Sequence, residues 1–412
     1  MKWKISKKMT KKIDLNHPAV GIHCSASLSA LGDHPEQVKA QLTSLENSLT
    51  LNKSLIFDQP VWVGAYAHPL CSDIPVALQN YDSRNLRFAL TALAQCESQL
   101  RDYVAKFDKK RLAIIVGTST SGISDNEPLL KAYFQGQTET VIQQQKQEMG
   151  NLAKALQIYL GWDGLAYTIS TACSSSAKAF ASGQRLINAG LADAVLVGGV
   201  DTLAKLTLNG FNSLENLSAG ICSPCGYQRD GINIGEAASL FLLSKEPAPI
   251  MLISAGESMD AWHISAPHPE GKGAATAMQK ALDQAQLKSS DIQYLNLHGT
   301  ATTHNDDMEI KAVRQVFQDY AVPLSSTKHK TGHCLGAAGA LEAYICTQVL
   351  KDQNWLPLHQ NGAIDPELDD QHYVEQDDLN QTTQFDPVRF VMSNSFAFGG
   401  SNVSLIFGTE IK

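Results

Sequence analysis

One stretch constrains this chain more than any other. Residues 166–171 (AYTIST) are β-rich, residues 174–188 have helical periodicity closed by Gly190, and residues 194–200 (AVLVGGV) are a second β run. Strand, turn, helix and strand in that order are the signature of an α/β sheet with crossover connections. The turn between the first strand and the helix holds Cys173.

The same grammar runs through the rest of the chain. Residues 19–29 and 111–116 are expected strands, and 35–49 and 85–107 expected helices. Residues 134–159 are polar and Gln-rich, and are expected to form a helical capping or interface layer. Further on, strands are expected at 249–257, 292–297, 323–326, 390–395 and 403–407, with helices at 274–286, 306–317 and 336–350. Two successive strand-helix-strand halves are what a duplicated α/β fold looks like. A 412-residue chain that is 43% hydrophobic has the apolar material for a large core. The expected division is a tail (1–18), an N-terminal half (19–247) and a C-terminal half (248–412). The acidic stretch 365–378 (DPELDDQHYVEQDD) is expected to be a solvated loop.

Charge and composition exclude several functions. A net charge of -8 argues against a broad nucleic-acid-binding surface. No apolar run approaches the roughly 20 residues of a membrane span. The lysine-rich start, residues 1–12, lacks the apolar segment of a secretory signal, so a solvated basic tail and a cytoplasmic enzyme are expected. Eight scattered cysteines suit reduced thiols better than a disulfide framework. Cys222 and Cys225 form a lone C-x-x-C with no second ligand pair nearby, so no metal is expected there.

Cys173 lies where a strand turns into a helix that begins with small residues, the setting of a nucleophile elbow. The positive end of the helix dipole, about half a unit charge, favours a thiolate there. His298 closes a strand at a glycine turn, and His333 precedes the run Gly336-Ala337-Ala338-Gly339. Strand-end loops are the usual place for site residues in α/β folds. One sulfur nucleophile and two imidazoles form a coherent set for polarising a carbonyl. Lys328 and Glu342 flank His333, as either a buried pair biasing the site or ordinary surface residues. Residues 393–402 form a small-residue turn holding Phe396 and Phe398.

Six ordered blocks carry a resemblance over roughly residues 19–408: TACSSS (171–176), RDGINIGE (229–236), ISAPHPEGKGA (264–274), LHGTATTHND (297–306), SSTKHKTGHCLGAAGALE (325–342) and NSFAFGGSN (394–402). The chain resembles the elongating β-ketoacyl-acyl carrier protein synthases, condensing enzymes of the thiolase fold. The resemblance implies two βαβ-rich halves in a five-layered α/β/α/β/α core, usually dimeric. It implies that Cys173 accepts an acyl chain from an acyl carrier protein. His298 and His333 would then stabilise the enolate left when a malonyl thioester loses carbon dioxide. The backbone N–H groups of Cys173 and Phe398 would form the oxyanion hole. Lys328, Glu342 and Asp306 would support the site, Thr300 and Thr302 would contact the pantetheine arm, and Phe396 and Phe398 would border the substrate, with Phe398 as a gate. No cofactor is implied. An acidic carrier would seek a local basic patch, for which Arg84 and Arg87 are candidates.

Some positions depart from the family pattern. Ala397 stands where glycine is usual and would be strained if that position needs positive φ. Cys225-Gly226 and Ala237 are also unusual, which favours a specialised lipid, pigment or polyketide pathway over housekeeping elongation. A thiolase would carry a second cysteine near residues 398–400, and a chain-initiating synthase would replace one histidine with asparagine. A nucleotide-binding oxidoreductase would need an early G-x-G-x-x-G. The remaining alternatives are an active subunit of a ketosynthase–chain-length-factor heterodimer and, less favoured, a partner subunit without activity.

Overall fold

The computed structural model describes residues 19–56, 59–137, 139–359, 362–381 and 387–409. The basic tail lies outside the described residues. One ten-stranded sheet runs through the molecule. Its strands are β1 (Val20–Ser29), β2 (Leu112–Gly117), β3 (Ala166–Ile169), β4 (Ala194–Asp201), β5 (Ala237–Ser244), β6 (Ile250–Met259), β7 (Tyr294–Asn296), β8 (Leu324–Ser325), β9 (Phe390–Phe396) and β10 (Ser401–Thr409). Their spatial order is β8-β7-β9-β10-β6-β1-β5-β4-β2-β3.

That order is the same five-strand pattern twice. In the N-terminal half β3, β2 and β4 are parallel, and β5 and β1 follow antiparallel. In the C-terminal half β8, β7 and β9 are parallel, and β10 and β6 follow antiparallel. Each strand of the second half takes the seat of the strand five places earlier. The halves join through a short pairing of β1 with β6, Val20 opposite Leu252 and Gly21 opposite Met251.

Five helices position the site: α1 (Arg84–Ala94), α2 (Ser175–Asn188), α3 (Lys272–Ala285), α4 (Thr303–Phe317) and α5 (Ala338–Asp352). α5 is buried continuously from Ala338 to Leu350, as a helix in a central layer must be. Phe180 of α2, Leu341 of α5, Phe241 of β5 and Phe407 of β10 share one core between the two half-sheets. Outside it, Leu86 and Phe88 of α1 cover one half and Met278 and Val313 of α3 and α4 cover the other. The two halves of the one sheet, between three helical layers, give the expected five. In β1 a bulge at His23, between Ile22 and Cys24, inverts the alternation: Val20 and Ile22 face the central core, and Cys24, Ala26 and Leu28, at the same spacing of two, face the outer one.

Several expectations are corrected. The helix expected at 85–107 is two, Arg84–Ala94 and Glu97–Val104, with Cys96 outside helical geometry between them. The helix at 35–49 ends at Leu42. Residues 134–159 are not one helix: helix Ile123–Phe134 ends where that region begins, and Gln144–Gln147 and Asn151–Leu160 are separate. Strand β5 went unrecognised because it is buried on both faces and shows no alternation. The acidic stretch is stitched to the body. Asp365 pairs with Arg229 at 2.6 Å and Asp370 with Arg314 at 2.6 Å, while Tyr373 and Val374 are buried. Among the described residues no helix is long and apolar enough to cross a membrane.

Candidate active site

The turn between β3 and α2 is built by hydroxyls. Ser174 Oγ donates to the Thr171 carbonyl at 2.9 Å and Ser175 Oγ to the Ala172 carbonyl at 2.6 Å. Small side chains are needed here because strand β2 passes close by. A Cβ on Gly117 would stand 2.4 Å from the Ser176 nitrogen. Ala172 takes φ +52, a left-handed conformation uncommon for a residue with a Cβ. The strained residue therefore immediately precedes Cys173 and thrusts it into a cavity of about 480 Å³.

His298 and His333 reach the same cavity from the C-terminal half. His333 Nε2 lies 3.0 Å from Cys173 Sγ. The two imidazoles meet edge to face, ring centres 5.4 Å apart and planes at 83°. Both are buried. Burial first, and then the Lys328 cation, hold both rings well below the usual histidine range, so they are neutral at pH 7. The expected thiolate is overruled: burial pushes the Cys173 thiol up to about 11, outweighing Lys328 and the backbone N–H groups of Phe398 and Cys173 that point at the sulfur.

Lys328 and Glu342 are a buried ion pair, not surface residues. Lys328 Nζ also donates to the His298 carbonyl at 2.5 Å. Burial raises the Glu342 carboxyl to about 7. Asp306 stands back from the sulfur. It accepts the Cys225 N–H at 2.7 Å and anchors the turn at Ala301, which has φ +64. No motif in the sequence marks Glu309. Its carboxylate accepts the N–H groups of His298 at 2.8 Å and Gly299 at 2.7 Å, with Asn394 donating at 3.1 Å. The available signal was an acid in α4, one turn beyond Asp306, where exposed acids are also common.

Thr300 and Thr302 share a 2.9 Å hydroxyl contact on the cavity wall. Phe396 is buried with its ring centre 6.2 Å from that of His298. Phe398 is partly exposed to the cavity and packs on Phe211, ring centres 5.9 Å apart. Ala397 has φ −110 and ψ 154, so the feared strain is absent there. The positive φ falls on Gly399 (+79) and Gly400 (+80) instead.

Cys173, His298 and His333 are, among the described residues, the group whose donor atoms lie close enough to share a metal ion, within 4.8 Å of one another. Sulfur and imidazole suit zinc. A ligating histidine normally donates its other N–H to an acceptor, yet both Nδ1 atoms are buried with no protein partner, so the donor set fits a metal poorly. Arg84 and Arg87 are both engaged within the fold, by Glu236 and Asp82.

Comparison with known proteins agrees with the geometry. Residues 83–248 match the family "Beta-ketoacyl synthase, N-terminal domain", and residues 251–361 match "Beta-ketoacyl synthase, C-terminal domain". The chain is 35% identical over 269 residues to 3-oxoacyl-[acyl-carrier-protein] synthase 2 of Staphylococcus aureus, a match covering 61% of this chain and 65% of that protein, just short of two thirds of its length. It is 33% identical to nodulation protein E of Rhizobium meliloti (strain 1021), over 72% of this chain and 75% of that protein. Among solved structures, the ketosynthase ApeO, determined in complex with its chain length factor ApeC from Xenorhabdus doucetiae, superposes with a TM-score of 0.89 at 41% identity. That superposition covers 95% of this chain and 98% of that one.

Proposed function

This chain belongs to the β-ketoacyl synthase family, and on that premise we propose that it joins an acyl group held on Cys173 to a malonyl thioester by decarboxylative Claisen condensation. The substrates in this reading arrive on an acyl carrier protein, and the enzyme works in the cytoplasm, in keeping with eight cysteines scattered through the sequence. The N- and C-terminal halves divide near residue 248, which the twice-used strand order supports.

The observation that carries the reading is the 3.0 Å contact between Cys173 Sγ and a neutral His333, with neutral His298 beside it. The sulfur attacks the carrier thioester, its proton leaves with the carrier thiol, and the N–H groups of Cys173 and Phe398 hold the oxyanion. Thr300 and Thr302 receive the pantetheine arm. The malonyl carbon–carbon bond then breaks, carbon dioxide leaves, and the two imidazoles donate to the enolate oxygen. A neutral donor suits this step because it stabilises charge as it develops and surrenders no proton. The enolate carbon attacks the acyl carbonyl and the carbon–sulfur bond breaks, releasing the Cys173 thiolate, which takes one proton from solvent to return the thiol. Lys328, Glu342 and Asp306 hold this arrangement from behind.

A partner subunit is part of the same proposal. Strand β3 ends the sheet beside Cys173 with Tyr167 38% exposed and Leu165, just before it, 52% exposed. The opposite edge, β8, is instead covered by the acidic segment, through a bridge from Leu324 to Tyr373. An open apolar edge suits a second copy or a related chain-length subunit. The test is intact-protein mass after incubation with a panel of acyl-carrier thioesters, together with formation of 3-ketoacyl product. Wild type is expected to gain one acyl group and Cys173→Ala none. Product formed by Cys173→Ala would overturn the proposal.

A further inference from the structure

Asp201 ends strand β4, fully buried, and its carboxylate gathers donors from both halves of the molecule. Oδ1 accepts the Thr118 hydroxyl at 2.8 Å, the Ser119 N–H at 2.8 Å, and the Thr120 N–H and hydroxyl at 2.7 and 2.8 Å. Oδ2 accepts the Ser119 N–H at 3.1 Å and, across the halves, the Ala337 N–H at 3.0 Å. Burial raises this carboxyl, and the ring of donors opposes that. So large a set of donors is more than a buried acid needs for satisfaction, and it joins two segments that both lead to the reacting atoms.

The first segment, residues 117–120, lies against the start of the nucleophile helix. Gly117 has no room for a Cβ beside Ser176, and a Cβ on Gly199, two residues before Asp201, would stand 2.6 Å from Ser176 Cβ and 3.0 Å from Ala337 Cα. The second segment carries His333. Between His333 and Ala337 the chain passes through Leu335 at φ +51, a disfavoured conformation that its surroundings must enforce. On the other side the His333 backbone is pinned, donating to the Asn233 carbonyl at 2.6 Å and accepting the Gly235 N–H at 3.0 Å. The Asp201 carboxylate is the matching pin beyond the strained residue.

We propose that Asp201 is a positioning residue that sets the contact between Cys173 and His333, by fastening the strained turn after His333 to the loop on which the nucleophile helix rests. It touches no reacting atom. The inference deepens the condensing-enzyme reading and rests on it for its kinetic arm alone.

Asp201→Asn is the test, because it keeps the shape but turns an N–H toward one of the N–H donors. The first readout is alkylation of Cys173 by iodoacetamide, followed by intact mass across pH. This requires no assumption about substrate. The expected result is a rate changed at least about threefold with a displaced pH profile, and turnover lowered about tenfold or more with KM within about threefold. Thr118→Val, which removes one hydroxyl donor, is expected to shift the profile the same way by less, and serves if Asp201→Asn does not fold. Folded variants with the wild-type alkylation profile would overturn the inference. An altered profile in a protein whose wild type makes no condensation product would retain the brace and remove the proposed activity.

Discussion

Lys328 approaches His298 at its backbone carbonyl, 2.5 Å from Nζ, while its other contact is the carboxylate of Glu342. The cation thus fixes the turn that carries the imidazole and helps keep both rings neutral. Lys328→Ala leaves Glu342 as an uncompensated buried acid, a loss of about 3–5 kcal/mol. It also withdraws a charge that favours thiolate at Cys173. Chemical unfolding should show the destabilisation, and alkylation of the surviving folded protein at pH 8 should be slower than wild type. Faster alkylation would contradict this electrostatic assignment.

His333 Nε2 lies at hydrogen-bond distance from the sulfur, whereas His298 makes no hydrogen bond to it. His298→Ala should therefore leave acylation of Cys173 within about tenfold of wild type and lower malonyl decarboxylation by about 10²–10³. His333→Ala should impair both. Intact mass reads the first step and carbon dioxide release the second. Loss of acylation in His298→Ala would make that ring the base of the thiol instead.

What the sequence disclosed follows from physical locality. Cys173, His298 and His333 sit in short turns whose small residues announce them, and the duplicated α/β character follows from strand-helix-strand grammar. Four things were hidden. Strand β5 (AASLFLLS) is buried on both faces and carries no period. Glu309 and Asp201 act through backbone N–H groups of segments distant in sequence, which no spacing encodes. The ionisation of Cys173 was misjudged because a helix dipole is visible in sequence and desolvation is not. In the acidic stretch, charge density suggested solvation, while the positions of Arg229 and Arg314 that bind it are set by the fold.

Glu309 sets a pH dependence of stability. Burial raises its folded carboxyl from 4.5 to about 7. In that window the folded state binds more protons than the unfolded state, so stability falls as pH rises from about 4.5 to about 7, by roughly 3 kcal/mol at most for this one group. Glu309→Gln cannot ionise and should flatten that part of the curve. It should also be less stable at pH 5, since an amide cannot accept both the His298 and Gly299 N–H groups as the carboxyl does. Urea unfolding at pH 5, 6 and 7 measures both effects. An unchanged slope in Glu309→Gln would assign the pH dependence to other acids such as Glu342.

The loop beside Phe398 makes two adjacent glycines unequal. Gly399 has φ +79 with open space where a Cβ would go, and Gly400 has φ +80 with a Cβ position 2.0 Å from the Asp260 carbonyl oxygen. Gly399→Ala should lose about 1 kcal/mol, the backbone strain alone. Gly400→Ala adds a clash with backbone and must displace the Asp260 segment, whose N–H donates to the Gly400 carbonyl at 2.8 Å. It should lose several times as much and slow acyl loading, because both segments line the cavity. Ala397→Gly, at an ordinary extended position, should change stability by about 0.5–1 kcal/mol through the unfolded chain and leave loading intact. Thermal unfolding of the three variants ranks them, and equal losses at 399 and 400 would show that the Asp260 segment yields freely.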